Sequence, residues 1–278
     1  MAAICLEDGE GRIVLCVDER IESNHAGGNI GFKISVAGPQ LAALYAGDPS
    51  QAEDFLATSR TVFDSNPLSR NTVYDILNGV VSTHREKIYE RHLRNSLGVS
   101  YDRFLTRGET EIDGKTRNEI FTELRDLDFG CELIIIGFIS EREFMFYVSN
   151  HGAISRIHDF ITIGSGSVIA DSLLFLRAQR HDNSVERTLY NLYEASQLSK
   201  RVAPGVGETK DFAVLEAPFP GCSSMGMRIL NRPSIERLKE SFDQVGLRPL
   251  VTEPTFEPDS YSRVMERRSP DSQASERD

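Results

Sequence analysis

Positive charge is in short supply in this sequence. Over 278 residues, 31 Lys and Arg stand against 42 Asp and Glu, for a net charge of −11. A nucleic-acid binder needs a basic surface to displace counterions from phosphate, so no nucleic-acid partner is expected. Long apolar runs are missing too. The longest, Leu133–Ile139, falls far short of the roughly 20 residues that cross a bilayer, so no membrane partner is expected. No basic region followed by an apolar run opens the chain, so no secretory signal is expected and the cytoplasm is the expected compartment. Cysteine is scarce: Cys5, Cys16, Cys131 and Cys222 have no metal-site spacing and read as reduced, mostly buried thiols. Cys5 and Cys16 are placed so that they could face each other across the first hairpin. The six histidines form no H-x-x-x-H pair, and none stands beside a cysteine at zinc spacing, so neither a metal nor another cofactor is expected. His158-Asp159 has the residue types of a base and its orienter, but neighbours on a strand point to opposite faces. There is no G-x-S-x-G elbow, and "GSGS" (164–167) lacks the lysine of a P-loop.

What is present is an ordinary globular composition, 40% apolar and 26% charged, long enough for one or two domains. Two short strands, Ala2–Leu6 and Arg12–Val17, flank a turn and tie the first residues into a hairpin. Phe32–Val36 and Leu41–Tyr45 read as two more strands, with Gly38-Pro39 between them. Asp48-Pro-Ser opens a helix that carries Ala52, Phe55, Leu56, Ser59 and Phe63 on one side. A long helix follows over 71–97, then an insertion near 98–128. "CELIIIGFI" (131–139) and "EREFMFYVS" (141–149) form the clearest hairpin. Helices are expected over Val168–Gln179, Val185–Lys200 and Ser234–Val245, with a strand at Phe212–Leu215. The stretch 253–278 is polar and reads as a disordered tail after a domain spanning 1–250. Strands and helices alternate in blocks, unlike the strict βαβ rhythm of a doubly wound fold, so antiparallel sheets layered between helix pairs are expected.

Three polar positions stand out against this frame. Asp18 ends the second strand, where a buried carboxylate needs a charge partner. Lys33 is a lone cation inside "GFKISV", and Ser165 lies where a strand turns into a helix. With the opening hairpin, these residues give the sequence its resemblance to amino-terminal nucleophile hydrolases. "AAICLEDGEGRIVLCVDERI" resembles the opening of proteasome β-type and HslV-type subunits, "KISVAG…LAALYAGD" their second hairpin, and "ITIGSGS" the turn before their third helix. The order of "LGVSYDRFL", "SNHG" and "APGVG" is closer still to bacterial proteasome-like proteins that open Met-Thr-x-Cys.

The resemblance implies a four-layer αββα sandwich of the α+β class and a threonine-type peptidase or amidohydrolase acting on a peptide or small amide. It implies that residue 2 holds the nucleophile position, that Lys33 held by Asp18 assists, and that Ser165 binds the terminal amine. Gly47 would supply the oxyanion hole, with Arg20, Gly164 and Gly166 in support. A terminal threonine can lose its hydroxyl proton to its own amine, whose ordinary pKa of about 7.7–8.0 suits a neutral-pH base. Ala2, however, carries only a methyl group there. The implied chain is therefore inactive as written, through a natural or engineered threonine-to-alanine change, or is a non-catalytic subunit acting in assembly or partner binding. A homo-oligomer is expected, and the sequence names no unfoldase partner.

Overall fold

The computed structural model describes residues 1–18, 20–23, 26–29, 33–38, 40–66, 68–203, 210–219, 224–245 and 261–263. The chain opens with β1 (Ala2–Glu7) and β2 (Glu10–Asp18), joined at Asp8-Gly9 with φ of 54° and 81°. Two central residues at positive φ match the twist of the flanking strands, and an Asp-Gly pair adopts that geometry readily. There follow β3 (Arg20–Ser23), β4 (Ala26–Asn29), β5 (Ile34–Gly38) and β6 (Leu41–Gly47).

Helix α1 (Pro49–Ser65) starts at Asp48, whose carboxylate accepts the Ser50 N–H at 2.8 Å, with Pro49 in the first turn. Helix α2 (Val73–Leu97) ends at Gly98 in the left-handed conformation. The insertion is a pair of helices, α3 (Tyr101–Glu111) and α4 (Gly114–Asp126), capped by Ser100 and Asp113. Next come β7 (Cys131–Ile139), β8 (Arg142–Val148), β9 (Ile154–Ile157) and β10 (Phe160–Ile161). The chain continues through α5 (Ser167–Leu176), α6 (Val185–Val202), β11 (Lys210–Glu216), β12 (Gly226–Leu230), α7 (Arg232–Val245) and β13 (Tyr261–Arg263).

One sheet has six strands in the order β10-β1-β2-β11-β12-β13; a second has five, β5-β6-β7-β8-β9; β3 and β4 pair separately. Period-two alternation along each strand sorts side chains into layers. Ile13, Leu15 and Val17 of β2 meet Ala42, Leu44, Ile134, Ile136 and Met145 between the two sheets. The opposite face of β2 sends Val14 and Cys16 against Leu189, Leu192 and Tyr193 of α6. On the outer face of the second sheet, Leu41, Leu133 and Ile135 pack on Phe55, Leu77 and Val80 of α1 and α2. The fold is thus the expected α+β sandwich, helices–sheet–sheet–helices.

Helix α5 stops at Leu176, earlier than the expected Gln179, because Arg177 and Ala178 turn away and Gln179 is buried against Thr188 and Asn191. Within the stretch 253–278, Tyr261–Arg263 forms β13 and pairs antiparallel with β12; the other residues of that stretch lie outside the described set. Among the described residues, no helix is long and apolar enough to cross a membrane.

Candidate active site

The first residues are anchored on both sides. Ala2 lies opposite Leu15 of β2 and Ile161 of β10 and is fully buried. The Met1 amine donates to the Cys16 carbonyl at 2.9 Å, and the Cys16 N–H returns a hydrogen bond to the Met1 carbonyl at 3.0 Å. Burial strips water from this amine and pushes its pKa below the ordinary value, against the opposing pull of Asp18 and with help from Lys210.

The far end of β2 carries the charges. Lys33, just before β5, donates to the Asp18 carboxylate at 2.5 Å, and each side chain keeps 19% exposure. Across the first sheet, Lys210 sits opposite Asp18 in register and is 6% exposed. Burial lowers the pKa of Lys210, while Cys16 and Asp18 hold it up. Nearby, the buried Thr162 hydroxyl donates to Asp171 of α5 at 2.7 Å. Burial raises the Asp171 pKa, and the terminal amine lowers it. Amine, carboxylates and lysines thus share one electrostatic neighbourhood.

The two turns assigned supporting roles also meet. Gly164 has φ of 91°, and a Cβ there would lie 3.4 Å from the Ala46 Cβ, which places the 164–166 turn against the end of β6. Gly47, next along, has φ of 108°, and its Cβ would fall 2.4 Å from the Gly130 carbonyl oxygen, so only glycine fits. Ser165 is exposed in its turn, and Gly166 caps α5 while its carbonyl accepts the Ser199 hydroxyl at 3.1 Å. The hydrogen bond from the amine goes to the Cys16 carbonyl. That amine belongs to Met1, one residue before the position that Ser165 was expected to serve. Arg20 lies in β3, and its side chain is outside the described residues.

Sequence reasoning missed Lys210, Thr162 and Asp171. The signal that singled out Lys33 also marks Lys210, a cation two residues before the apolar run "FAVL", and Asp171, a carboxylate within "SVIADSLLFL". Cys5 and Cys16 do not face each other: Cys5 pairs with Arg12, and Cys16 with Phe212 of β11. Burial pushes the Cys5 thiol up to about 12 and the Cys16 thiol to about 11, so neither is a nucleophile near neutral pH. Cys222 and His25 lie outside the described residues. Asp159 turns from its neighbour His158 and pairs instead with His181, Oδ1 to Nδ1 at 2.8 Å. Among the described residues, no group of three or more His, Cys, Asp or Glu could hold a metal ion.

With the geometry in place, comparison with known proteins adds one finding. The fold is similar to that of Anbu. The solved structure of Anbu (ancestral beta-subunit) from Yersinia bercovieri matches over 87% of this chain and 93% of that chain, with 12% identity and a TM-score of 0.56. No protein-family model matches, and no curated protein matches. This corrects the family resemblance drawn from the sequence. Membership of the proteasome β-type and HslV-type family, or of the bacterial proteins opening Met-Thr-x-Cys, is not upheld, and at 12% identity the likeness carries the fold alone. The reason lies in the motifs. Gly47 and Gly164 have positive φ, and alternating strands follow from layering, so "LYAGD" and "ITIGSGS" are accounted for by backbone geometry and do not by themselves establish a family.

Proposed function

We propose that this chain is an amide-hydrolysing scaffold of the amino-terminal nucleophile type, in which residue 2 holds the nucleophile position and Ala2 leaves it without an attacking hydroxyl. The observation that carries this reading is the convergence at the start of β1 and the end of β2: the buried Met1 amine, one residue before the nucleophile position, lies within the field of Asp18 and Lys210, and Asp18 pairs with Lys33. Burial makes the Met1 amine a weaker base, and the amine of residue 2, freed by loss of Met1, would accept a hydroxyl proton in the same surroundings. Lys33, held by Asp18, would stabilise the oxygen as it loses that proton. The substrate in this reading is a peptide or small amide. Loss of Met1 is required, because residue 2 has no free amine while Met1 is attached.

The test is covalent capture. Ala2→Thr protein, with Met1 removal verified by intact mass, should take up one equivalent of a β-lactone acylating agent, mapped to residue 2. The unsubstituted chain should take up none. An Ala2→Thr protein that is folded, starts at residue 2 and stays unlabelled would overturn the reading.

A non-catalytic, assembling role is the second reading, favoured by one feature. Val168, Phe175 and Leu176 of α5 are 76%, 75% and 79% exposed, an apolar surface suited to a second copy of the chain.

A further inference from the structure

Away from the candidate active site, the helical insertion and α2 border a half-open cavity of about 400 Å³, within the size range of small-molecule sites. Its walls include Tyr89 of α2, Tyr101 at the start of α3 and Phe121 of α4; Arg85, Arg125 and His151 also line it. None of its lining residues is acidic. In a chain of net charge −11 that is a local reversal of sign. Two carboxylates beside the lining residues are already engaged: Glu90 accepts the Tyr101 N–H at 2.6 Å and pairs with Arg94, and Asp126 lies 3.3 Å from Arg125. A third carboxylate, Glu86 of α2, acts on Tyr101, which burial and Tyr89 also push toward its neutral form.

Arg85 is built in rather than trailing in solvent. Its guanidinium lies over the Phe129 ring at 5.7 Å and donates to the His151 carbonyl at 2.6 Å. Gly152 makes this packing possible: with φ of 73°, its Cβ would fall 2.6 Å from the Arg85 Nη2 and 2.7 Å from the Phe129 ring. The aromatic wall is fixed as well, with the Tyr89 and Tyr101 ring centroids 5.5 Å apart at 60°.

We infer that this cavity binds an aromatic carboxylate, its ring against Tyr89, Tyr101 and Phe121 and its carboxylate on Arg85 and Arg125. A monoanion fits better than a phosphate dianion, because Arg85 has given one nitrogen to a carbonyl and Arg125 is partly neutralised by Asp126. The site is independent of the residue-2 chemistry and stands whether or not that chemistry occurs.

Titration calorimetry on the full chain tests it, with N-acetylphenylalanine as the probe and N-acetylphenylalaninamide as the uncharged control. The carboxylate should bind about tenfold or more tightly than the amide, the ratio expected for one charge-assisted contact. Arg85→Gln should remove that preference. Because this substitution also frees the His151 turn, Arg125→Gln is the second variant: its side chain is exposed, so the melting temperature should hold while carboxylate affinity falls several-fold. Equal affinity for acid and amide would overturn the proposal. So would an absence of saturable binding at about 10 mM, or an Arg125→Gln protein that binds the acid unchanged.

Discussion

Two of the shielded ion pairs among the described residues are built differently. Between α5 and α6, Arg177 and Glu194 are 5% and 0% exposed and meet through two parallel hydrogen bonds, one of them 2.6 Å from Nε to Oε2. At the end of β2, Asp18 and Lys33 meet through one contact, each keeps 19% exposure, and a second lysine stands across the sheet. The first geometry satisfies a planar guanidinium and locks two helices together. The second leaves charge where solvent and a reactant can reach it. The two arrangements should therefore respond differently to substitution.

The largest effect should come from breaking the clamp. Glu194→Gln removes the carboxylate from a buried ion pair, which costs about 3–5 kcal/mol, and chemical denaturation should register that loss. A change under about 1 kcal/mol, the range of an exposed pair, would show that water reaches this interface.

Next in size is a buried group whose ring nitrogens make no hydrogen bond among the described residues. His84 of α2 is 1% exposed between the Phe55 and Phe129 rings, with both ring nitrogens lacking a hydrogen-bond partner, and burial lowers its pKa to about 4. Asp54 opposes this shift, and Lys87 and Arg91 reinforce it. The unfolded chain takes up the proton near the ordinary value of about 6.5, so it binds more protons than the native state between there and about 4. Stability is therefore intact above that window and falls as pH drops through it, by about 3 kcal/mol in all. His84→Phe should flatten this slope, which urea midpoints measured across the window would reveal. An unchanged slope would assign the acid sensitivity to other groups.

The Asp18–Lys33 pair should fall below the clamp. Asp18→Asn is expected to cost about 2 kcal/mol, between the buried and surface ranges, and adding Lys33→Met should recover part of it. A double-mutant cycle with coupling near zero would mean that the contact contributes nothing to stability.

The same contrast explains what the sequence made legible. Asp8-Gly9, the alternation of Ile13, Leu15 and Val17, and the Asp48-Pro49 helix start are local signals, and the sandwich follows from them. Asp18 and Lys33 were legible because a charge inside an apolar strand demands a partner. Lys210 and Asp171 obey the same rule, but which charge each would meet depends on strand order, which no local pattern encodes. The short β3, β4 and β13 lack an alternating apolar face; β12 is flanked by polar and glycine residues; the α3–α4 pair has its own small core of Leu93, Phe104, Ile120 and Leu124. The mistaken facing of Cys5 and Cys16 has a similar cause: the two-residue turn fixes the register four residues away from the one imagined.

The most direct measurement is the rate of amide hydrolysis by Ala2→Thr protein lacking Met1, compared with the same protein carrying Lys33→Met. If the end of β2 is a catalytic arrangement, the first should hydrolyse a peptide amide above the rate of the unsubstituted chain. The second, folded and of unchanged secondary structure, should lose about two orders of magnitude or more of that rate. Hydrolysis that is indifferent to Lys33, or none at all from a folded protein starting at Thr in position 2, would contradict the assignment.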